Sequence, residues 1–162
     1  MIQIFPFEKR VEYVTETGSV LVACRSYLLA EFRSAMGEPI LRQVMLDSGA
    51  PWGVLPHSFW SKNQIPWQPI GSQIRRSDRV EFEPITWQGI PCSLGELSVD
   101  LLDERTGVRT RPLRLLAKLP EAPGTKVTES EVLFGLGFFR DNSLSYTISG
   151  VNGVLICRLD VS

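Results

Sequence analysis

The stretch Val44-Met45-Leu46-Asp47-Ser48-Gly49-Ala50-Pro51-Trp52-Gly53-Val54-Leu55-Pro56 decides the fold assignment. It predicts an apolar strand that ends in a carboxylate and is followed by a turn of small residues. An ionised Asp47 directly after three apolar residues is costly unless something uses its charge. Gly49 and Ala50 allow a backbone loop to pass close to the carboxylate with its N–H groups pointing inward. The same residues also form an ordinary Asx-turn at a strand end, so the turn by itself does not establish a site.

A second segment, from Glu131 to Asn142, predicts a short apolar strand directly before a glycine and a short helix. Three features of the two segments closely resemble the retropepsin-like aspartic peptidases. They are the turn Asp47-Ser48-Gly49-Ala50, the following Val54-Leu55-Pro56, and the later hydrophobic-hydrophobic-glycine element Leu133-Phe134-Gly135. The resemblance covers Ile40 to Ile148.

The resemblance implies an all-β fold, a closed β-barrel of the retropepsin-like acid-protease type with one or two short helices, formed by residues 1–162 as a single domain. It implies that Asp47 is catalytic and that the hydroxyl of Ser48 locks the loop. Gly49 and Ala50 would face the substrate through their backbone. The residues that support the loop without doing chemistry would be Leu133, Phe134 and Gly135.

The family also closes a hairpin, the flap, over its substrate. The resemblance places this flap in the region from Arg79 to Leu94. Its tip would lie at Trp87, Gln88 and Gly89.

The chemistry of the family requires two carboxylates that share one proton. One takes a proton from water as general base, and the other donates a proton to the substrate carbonyl. Asp47 lies in the only Asp-Ser/Thr-Gly sequence of the chain, and no internal repeat is present, so the second carboxylate must be Asp47 of another copy. We therefore expect a homodimeric aspartic endopeptidase that hydrolyses peptide or protein substrates without a cofactor or metal.

The C-terminal segment predicts a hairpin, formed by Leu144 to Ile148 and Val154 to Leu159 around the turn Gly150-Val151-Asn152-Gly153. Strand edges with Val154, Leu155 and Ile156 invite pairing with another chain. The resemblance implies that the terminal strands of two protomers join in one sheet. We therefore expect the homodimer to form here.

The rest of the chain shows short β-branched and aromatic runs separated by turn residues, which is typical of an all-β domain built from successive hairpins. Pro56 to Lys62 and Gly137 to Asn142 each predict one helical turn. Leu119 to Ser130 predicts a polar surface loop. The other predicted strands are Gln3–Phe7, Val11–Thr15, Val20–Phe32, Ile40–Leu46, Arg79–Trp87, Ile90–Leu102, Val108–Ala117 and Val132–Phe134.

Composition argues against several function classes. The 17 Lys and Arg residues nearly balance the 18 Asp and Glu residues, so we expect no nucleic-acid partner. Charged residues at positions 8–10 argue against a signal peptide, and no stretch reaches the roughly 18 apolar residues of a membrane helix. The cysteines Cys24, Cys92 and Cys157 are far apart and predict buried free thiols, not a zinc site or a disulfide framework. We expect a cytoplasmic protein without a membrane partner.

Other candidate sites are weaker. The sole histidine, His57, has no second ligand or nucleophile near it in the sequence, and the chain has no Gly-x-Ser-x-Gly elbow. The four tryptophans fit core packing or an apolar substrate cleft. Two further functions stay open: a catalytically silent retropepsin-like dimerisation or peptide-binding module with a blocked cleft, and an unrelated β-barrel binding domain without the loop crossing.

Overall fold

The chain is built from β-strands and two six-residue helices, and this computed structural model describes residues 1–126, 128–152 and 154–162. The prediction of an all-β chain with short helices is confirmed. The helices are α1 (His57–Lys62) and α2 (Leu136–Asp141). The strands are β1 (Ile2–Ile4), β2 (Phe7–Val14), β3 (Val20–Arg33), β4 (Pro39–Asp47), β5 (Gly53–Val54), β6 (Gln68–Gly71), β7 (Gln73–Ile74), β8 (Glu83–Pro84), β9 (Thr86–Trp87), β10 (Ile90–Leu102), β11 (Leu113–Pro120), β12 (Val132–Gly135), β13 (Leu144–Val151) and β14 (Val154–Val161).

The main sheet has the order β2-β3-β4-β12-β5-β11-β10-β6, with β9 paired to β10. Strand β10 also pairs with β3, so that Leu101 lies opposite Ala30. The expected succession of hairpins is therefore wrong for the middle of the chain, where β12 runs parallel to β4 and β5 runs parallel to β11. Periodicity identifies a strand, but the strand's partner depends on long-range packing.

Several predicted strands have different limits in the structure. The predicted strand Gln3–Phe7 becomes the shorter β1, and β2 begins at Phe7 instead of Val11. The segment Arg79–Trp87 forms only the short strands β8 and β9. Strand β11 begins at Leu113 instead of Val108 and continues to Pro120, into the segment predicted as a loop. Pro112 lacks a backbone N–H group, and this lack is consistent with the late start of β11.

The core cluster is formed by residues of the main sheet, of both helices and of the terminal strands β1 and β14. The ring of Phe32 on β3 is 5.0 Å from the ring of Phe59 on α1 and 6.3 Å from that of Phe134 on β12, measured between centroids. Phe134 in turn contacts Phe138 on α2 at 4.6 Å. These edge-on and tilted aromatic contacts are favourable beyond the area they bury, and they hold β12 and α2 in place.

The predicted C-terminal hairpin is confirmed. Strands β13 and β14 pair from Leu144 opposite Val161 to Val151 opposite Val154, while Gly153 of the predicted turn lies outside the described residues. Strand β1 pairs with the last three residues of β14 and completes a three-stranded sheet.

The free thiols follow the prediction in part. Cys92 and Cys157 are buried, but Cys24 is exposed because it lies on a part of β3 that extends beyond β4.

Over the described ranges, no helix is long and apolar enough to cross a membrane.

Candidate active site

Asp47 is the last residue of β4, where β12 lies beside it. The two strands pair in parallel from Val132 opposite Val44 to Gly135 opposite Asp47. Val44, Val132 and Phe134 are fully buried, which explains why both segments are apolar up to this point. The carboxylate therefore lies where a buried strand pair reaches the surface.

The loop that follows Asp47 crosses over the end of β12. The N–H group of Leu136 donates to the carbonyl oxygen of Ala50 at 2.9 Å, and that of Gly137 donates to Pro51 at 3.0 Å. The chain then returns on the other side of β12 as β5, where Val54 lies opposite Leu133. Strand β12 thus lies between the two strands that the loop connects.

This crossing requires glycine at two positions. A Cβ atom on Gly135 would collide with the carbonyl oxygens of Ala50 and Trp52, and one on Gly137 would collide with the carbonyl oxygen of Pro51. The obstructing atoms belong to the backbone and cannot rotate away. Gly135 was identified from the sequence. Gly137 was not identified as a close contact, although a glycine in the first turn of a helix is an unusual choice.

The carboxylate of Asp47 is oriented by its own loop. The N–H group of Gly49 donates to Oδ1 of Asp47 at 2.9 Å, and the N–H group of Ala50 donates to the carbonyl oxygen of Asp47 at 3.2 Å. Asp47 is half-buried, Ser48 and Gly49 are exposed, and Ala50 is buried. The inward N–H donor that the small residues suggested is present, whereas the loop-locking role of Ser48 stays a prediction.

The residues predicted as the flap tip form a tight turn beside the Asp47 loop. Gln88 and Gly89 connect β9 to β10 with positive φ angles of 52° and 80°, as in a two-residue hairpin turn. Trp87 packs with Trp52 against a small cluster of buried residues, which comprises Ile85, Cys92 and Leu94. Burial raises the pKa of the Cys92 thiol to about 11, so this cysteine stays protonated at neutral pH.

Lys118 on β11 links this turn to the loop. Its Nζ atom donates to the carbonyl oxygen of Thr86 at 2.9 Å and lies 5.9 Å and 6.0 Å from the ring centroids of Trp52 and Trp87. Such distances permit cation–π attraction to both rings. The Trp87 turn is therefore held against the loop that carries Asp47.

A second hairpin, formed by β7 and β8, directly precedes β9 in the chain. Gln73 and Ile74 of β7 pair with Pro84 and Glu83 of β8. The connecting residues 75–82 are exposed, and the guanidinium carbon of Arg75 lies 5.3 Å from the ring centroid of Phe82. The sequence did not reveal this hairpin because each strand has only two residues.

The remaining candidates do not join the site. The ring of His57 on α1 contacts Trp60 at 5.3 Å, and Trp60 contacts Trp67 at 6.2 Å, so these three rings pack along the core. Among the described residues, no cluster of three His, Cys, Asp or Glu side chains is arranged to hold a metal ion.

In one chain the arrangement presents one oriented carboxylate at the surface. Such a group can accept a proton from water, but the shared-proton chemistry needs a second carboxylate within hydrogen-bonding distance.

Comparison of this chain with family models, curated proteins and solved structures finds no match.

Proposed function

We propose that the chain is a retropepsin-like aspartic endopeptidase that works as a homodimer, with Asp47 of each copy forming the catalytic pair. The observation that carries the proposal is the loop from Asp47 to Trp52. It orients the carboxylate through the N–H group of Gly49 and crosses β12 at Gly135. An ordinary Asx-turn accounts for the hydrogen bond but does not require the crossing. The third possibility, an unrelated β-barrel domain, would lack this crossing.

The strand order is also consistent with the proposed barrel. The main sheet leads from β3 through β4, β12, β5 and β11 to β10, and β10 pairs again with β3. That last pairing returns the path to the strand from which it started. A closed retropepsin-like barrel is the architecture that we propose from this pairing.

In the proposed mechanism a water molecule lies between the two Asp47 carboxylates, one ionised and one protonated. The ionised carboxylate takes a proton from the water as its oxygen attacks the peptide carbonyl carbon, while the protonated one donates its proton to the carbonyl oxygen. The newly protonated carboxyl group then donates its proton to the amide nitrogen while the other carboxylate takes a proton from a hydroxyl of the tetrahedral intermediate. The C–N bond breaks, an acid and an amine are released, and the pair again holds one proton. Water is the only co-reactant, and no metal or cofactor takes part.

An open strand edge in the terminal sheet supports the proposal of a second copy. Strand β1 pairs with β14 only at Leu159 to Val161, and among the described pairings this leaves one edge of β14 open before Leu159. Ile156 on that stretch is about half exposed, with 51% of its surface accessible. An apolar side chain beside an open strand edge favours pairing with another strand.

The flap of the proposed enzyme has two candidates. The Trp87 turn is held by Lys118 and by the packing of Trp87 on the small buried cluster, whereas the hairpin of β7 and β8 carries an exposed connection of eight residues, 75–82. We propose the hairpin of β7 and β8 as the part that closes over a peptide and the Trp87 turn as its fixed base.

A second candidate function keeps the fold and the dimer but performs no reaction, as in a peptide-binding or dimerisation module. The packing of Trp87 against the cluster of Ile85, Cys92 and Leu94 favours it, because this contact holds in place the segment where the sequence predicts the flap. The two functions differ in whether peptide bonds are broken.

The deciding experiment incubates the purified chain, at a concentration where it is dimeric, with a mixed library of unstructured peptides from acidic to neutral pH. Mass spectrometry then reads the products. New carboxyl and amino termini at defined positions are expected of the peptidase. A dimer that binds peptides and cleaves none of them would establish the silent module instead.

A further inference from the structure

Strands β2 and β3 form a ribbon that extends past the end of β4. Strand β3 pairs with β4 only from Arg33 opposite Pro39 to Tyr27 opposite Met45, while its earlier part, from Val20 to Ser26, pairs only with β2. At roughly 3.3 Å per residue, this part projects about 20 Å beyond Met45. Since Asp47 lies two residues after Met45, the ribbon leaves the sheet at the end where the candidate catalytic residue lies.

The end of this ribbon is apolar and exposed on both faces. Consecutive residues of a strand point to opposite faces, and Val20, Leu21 and Val22 are each more than half exposed. Their partners on β2, Tyr13 opposite Leu21 and Val14 opposite Val20, are also exposed. A two-stranded ribbon that no other layer covers is marginally stable in water. A partner that packs on the exposed apolar side chains would stabilise this ribbon.

The two long edges of the ribbon differ in charge. Strand β2 carries Glu8, Lys9, Arg10 and Glu12, the kind of charged residues that protect an edge from pairing with other chains. The stretch Val20 to Cys24 of β3 carries no charge, and among the described residues its edge away from β2 has no strand partner. The unprotected edge is therefore the one beside the end of β4.

We propose that this edge, Val20 to Cys24, pairs with the same stretch of a second copy of the chain and extends the sheet across a twofold axis. Self-pairing of antiparallel strands places a stretch opposite itself, and an uncharged stretch does so without like-charge repulsion. The side chains of both ribbons then cover one another.

The terminal sheet lies next to this ribbon. The hydroxyl groups of Ser26 on β3 and Tyr146 on β13 are hydrogen-bonded, so the open edge of β3 and the C-terminal hairpin are neighbours. A second copy fits this edge better than a peptide does, because a single added strand would leave the apolar faces of the ribbon exposed.

The inference goes beyond the proposed function, because it assigns a further surface of association, apart from the terminal sheet, and does not depend on catalysis. The test measures the dimer dissociation constant by sedimentation for the unchanged chain, for Leu21→Lys and for Val22→Lys. A lysine at either position lies within the paired stretch and brings two like charges close together across the axis, so each variant is expected to dissociate about tenfold more readily or more. The matched control is Leu41→Lys on β4, since Leu41 is 54% exposed and Leu21 is 56% exposed. This control is expected to keep the dissociation constant within about a factor of two.

Hydrogen exchange of the backbone amides from Val20 to Cys24 supplies the second measurement. Those that point away from β2 are expected to exchange slowly in the dimer and rapidly after dilution to monomer, while circular dichroism shows that both states are folded. A monomeric unchanged chain, or a Leu21→Lys dimer as tight as the Leu41→Lys dimer, would overturn the proposal. So would protection that develops only when a peptide is added. A dimer that behaves as expected but cleaves nothing would refute the peptidase proposal alone.

Discussion

Gly135 lies directly opposite Asp47 in the parallel pairing of β12 with β4. The same glycine lies beneath the carbonyl oxygens of Ala50 and Trp52 as the loop crosses it. Gly135 therefore lies both at the end of the pairing between β4 and β12 and directly under the loop that crosses β12.

Replacing Gly135 with alanine is expected to displace this loop. The added Cβ atom collides with two backbone carbonyl oxygens, and forced insertion of a methyl group into a packed site costs about 1–3 kcal/mol. Urea denaturation measures the loss of unfolding free energy, and peptide cleavage should fall with it. Gly71→Ala is the matched control, because its Cβ atom would lie 3.7 Å from the nearest atom, the carbonyl oxygen of Gln73, at ordinary contact distance. Equal stability of the two variants would contradict the crossing.

Replacing Asp47 with asparagine is expected to abolish cleavage and leave the dimer folded. The substitution keeps the shape of the side chain and an acceptor for the N–H group of Gly49, but it removes the group that takes a proton from water. Cleavage of a fluorogenic peptide, sedimentation and circular dichroism measure the three properties. Asp100→Asn is the control, since Asp100 lies on β10, outside the Asp47 loop, and its Oδ2 is 3.5 Å from a guanidinium nitrogen of Arg109. Persistent cleavage by pure Asp47→Asn protein would refute the catalytic assignment.

Cleavage is expected to be fastest on the acid side of neutral pH. Two carboxylates that share a proton act only where one is protonated and the other ionised, so activity falls on both sides of that range. The initial rate of peptide hydrolysis between about pH 3 and pH 9 tests this expectation. A maximum at alkaline pH would indicate a different mechanism.

Introducing a lysine at Ile156 is expected to weaken the dimer and reduce cleavage together. Deleting residues 151–162 would be a poorer test, because Leu159 and Val161 are 0% and 3% exposed and belong to the core. Ile156→Lys leaves the core intact and places a charge beside the open edge of β14. Sedimentation and rate measurements over a concentration series, compared with Leu41→Lys, would show the coupled loss. A monomeric variant that cleaves at the full rate would argue against a shared catalytic pair.

Asp103 is expected to stabilise the connection between β1 and β2. Its Oδ2 accepts the N–H group of Phe5 at 3.0 Å, and its Oδ1 accepts those of Arg105 and Thr106 at 2.9 Å and 3.2 Å. Burial raises the pKa of Asp103, but these backbone hydrogen bonds outweigh burial and hold the pKa below its ordinary value. Asp103→Asn should therefore lower the free energy of unfolding by about 1–3 kcal/mol at neutral pH.

The pH dependence of this effect follows from the lowered pKa. The ionised form is favoured in the folded chain, so the contribution of Asp103 is fully present above the unfolded value of about 3.9 and is lost as the pH falls through the lower folded value. The difference in unfolding free energy between the unchanged chain and Asp103→Asn should shrink accordingly in acid. Asp78→Asn is the control, because the Asp78 side chain is 62% exposed. A difference that grows on acidification would show that the sign is wrong.

The sequence by itself determined the all-β character, the two helical turns, the C-terminal hairpin, and the turn of Asp47 together with the element that ends at Gly135. Each of these depends on local properties: alternation of apolar residues, turn chemistry, and small residues beside a carboxylate. The tertiary structure alone decided that β12 lies between β4 and β5 and that Gly137 touches the loop. It also decided that Trp52 and Trp87 pack against one buried cluster and that, among the described residues, the Val20–Cys24 edge has no strand partner. These features bring together residues far apart in the chain, and local periodicity carries no information about which strand pairs with which, because the same alternation suits many partners.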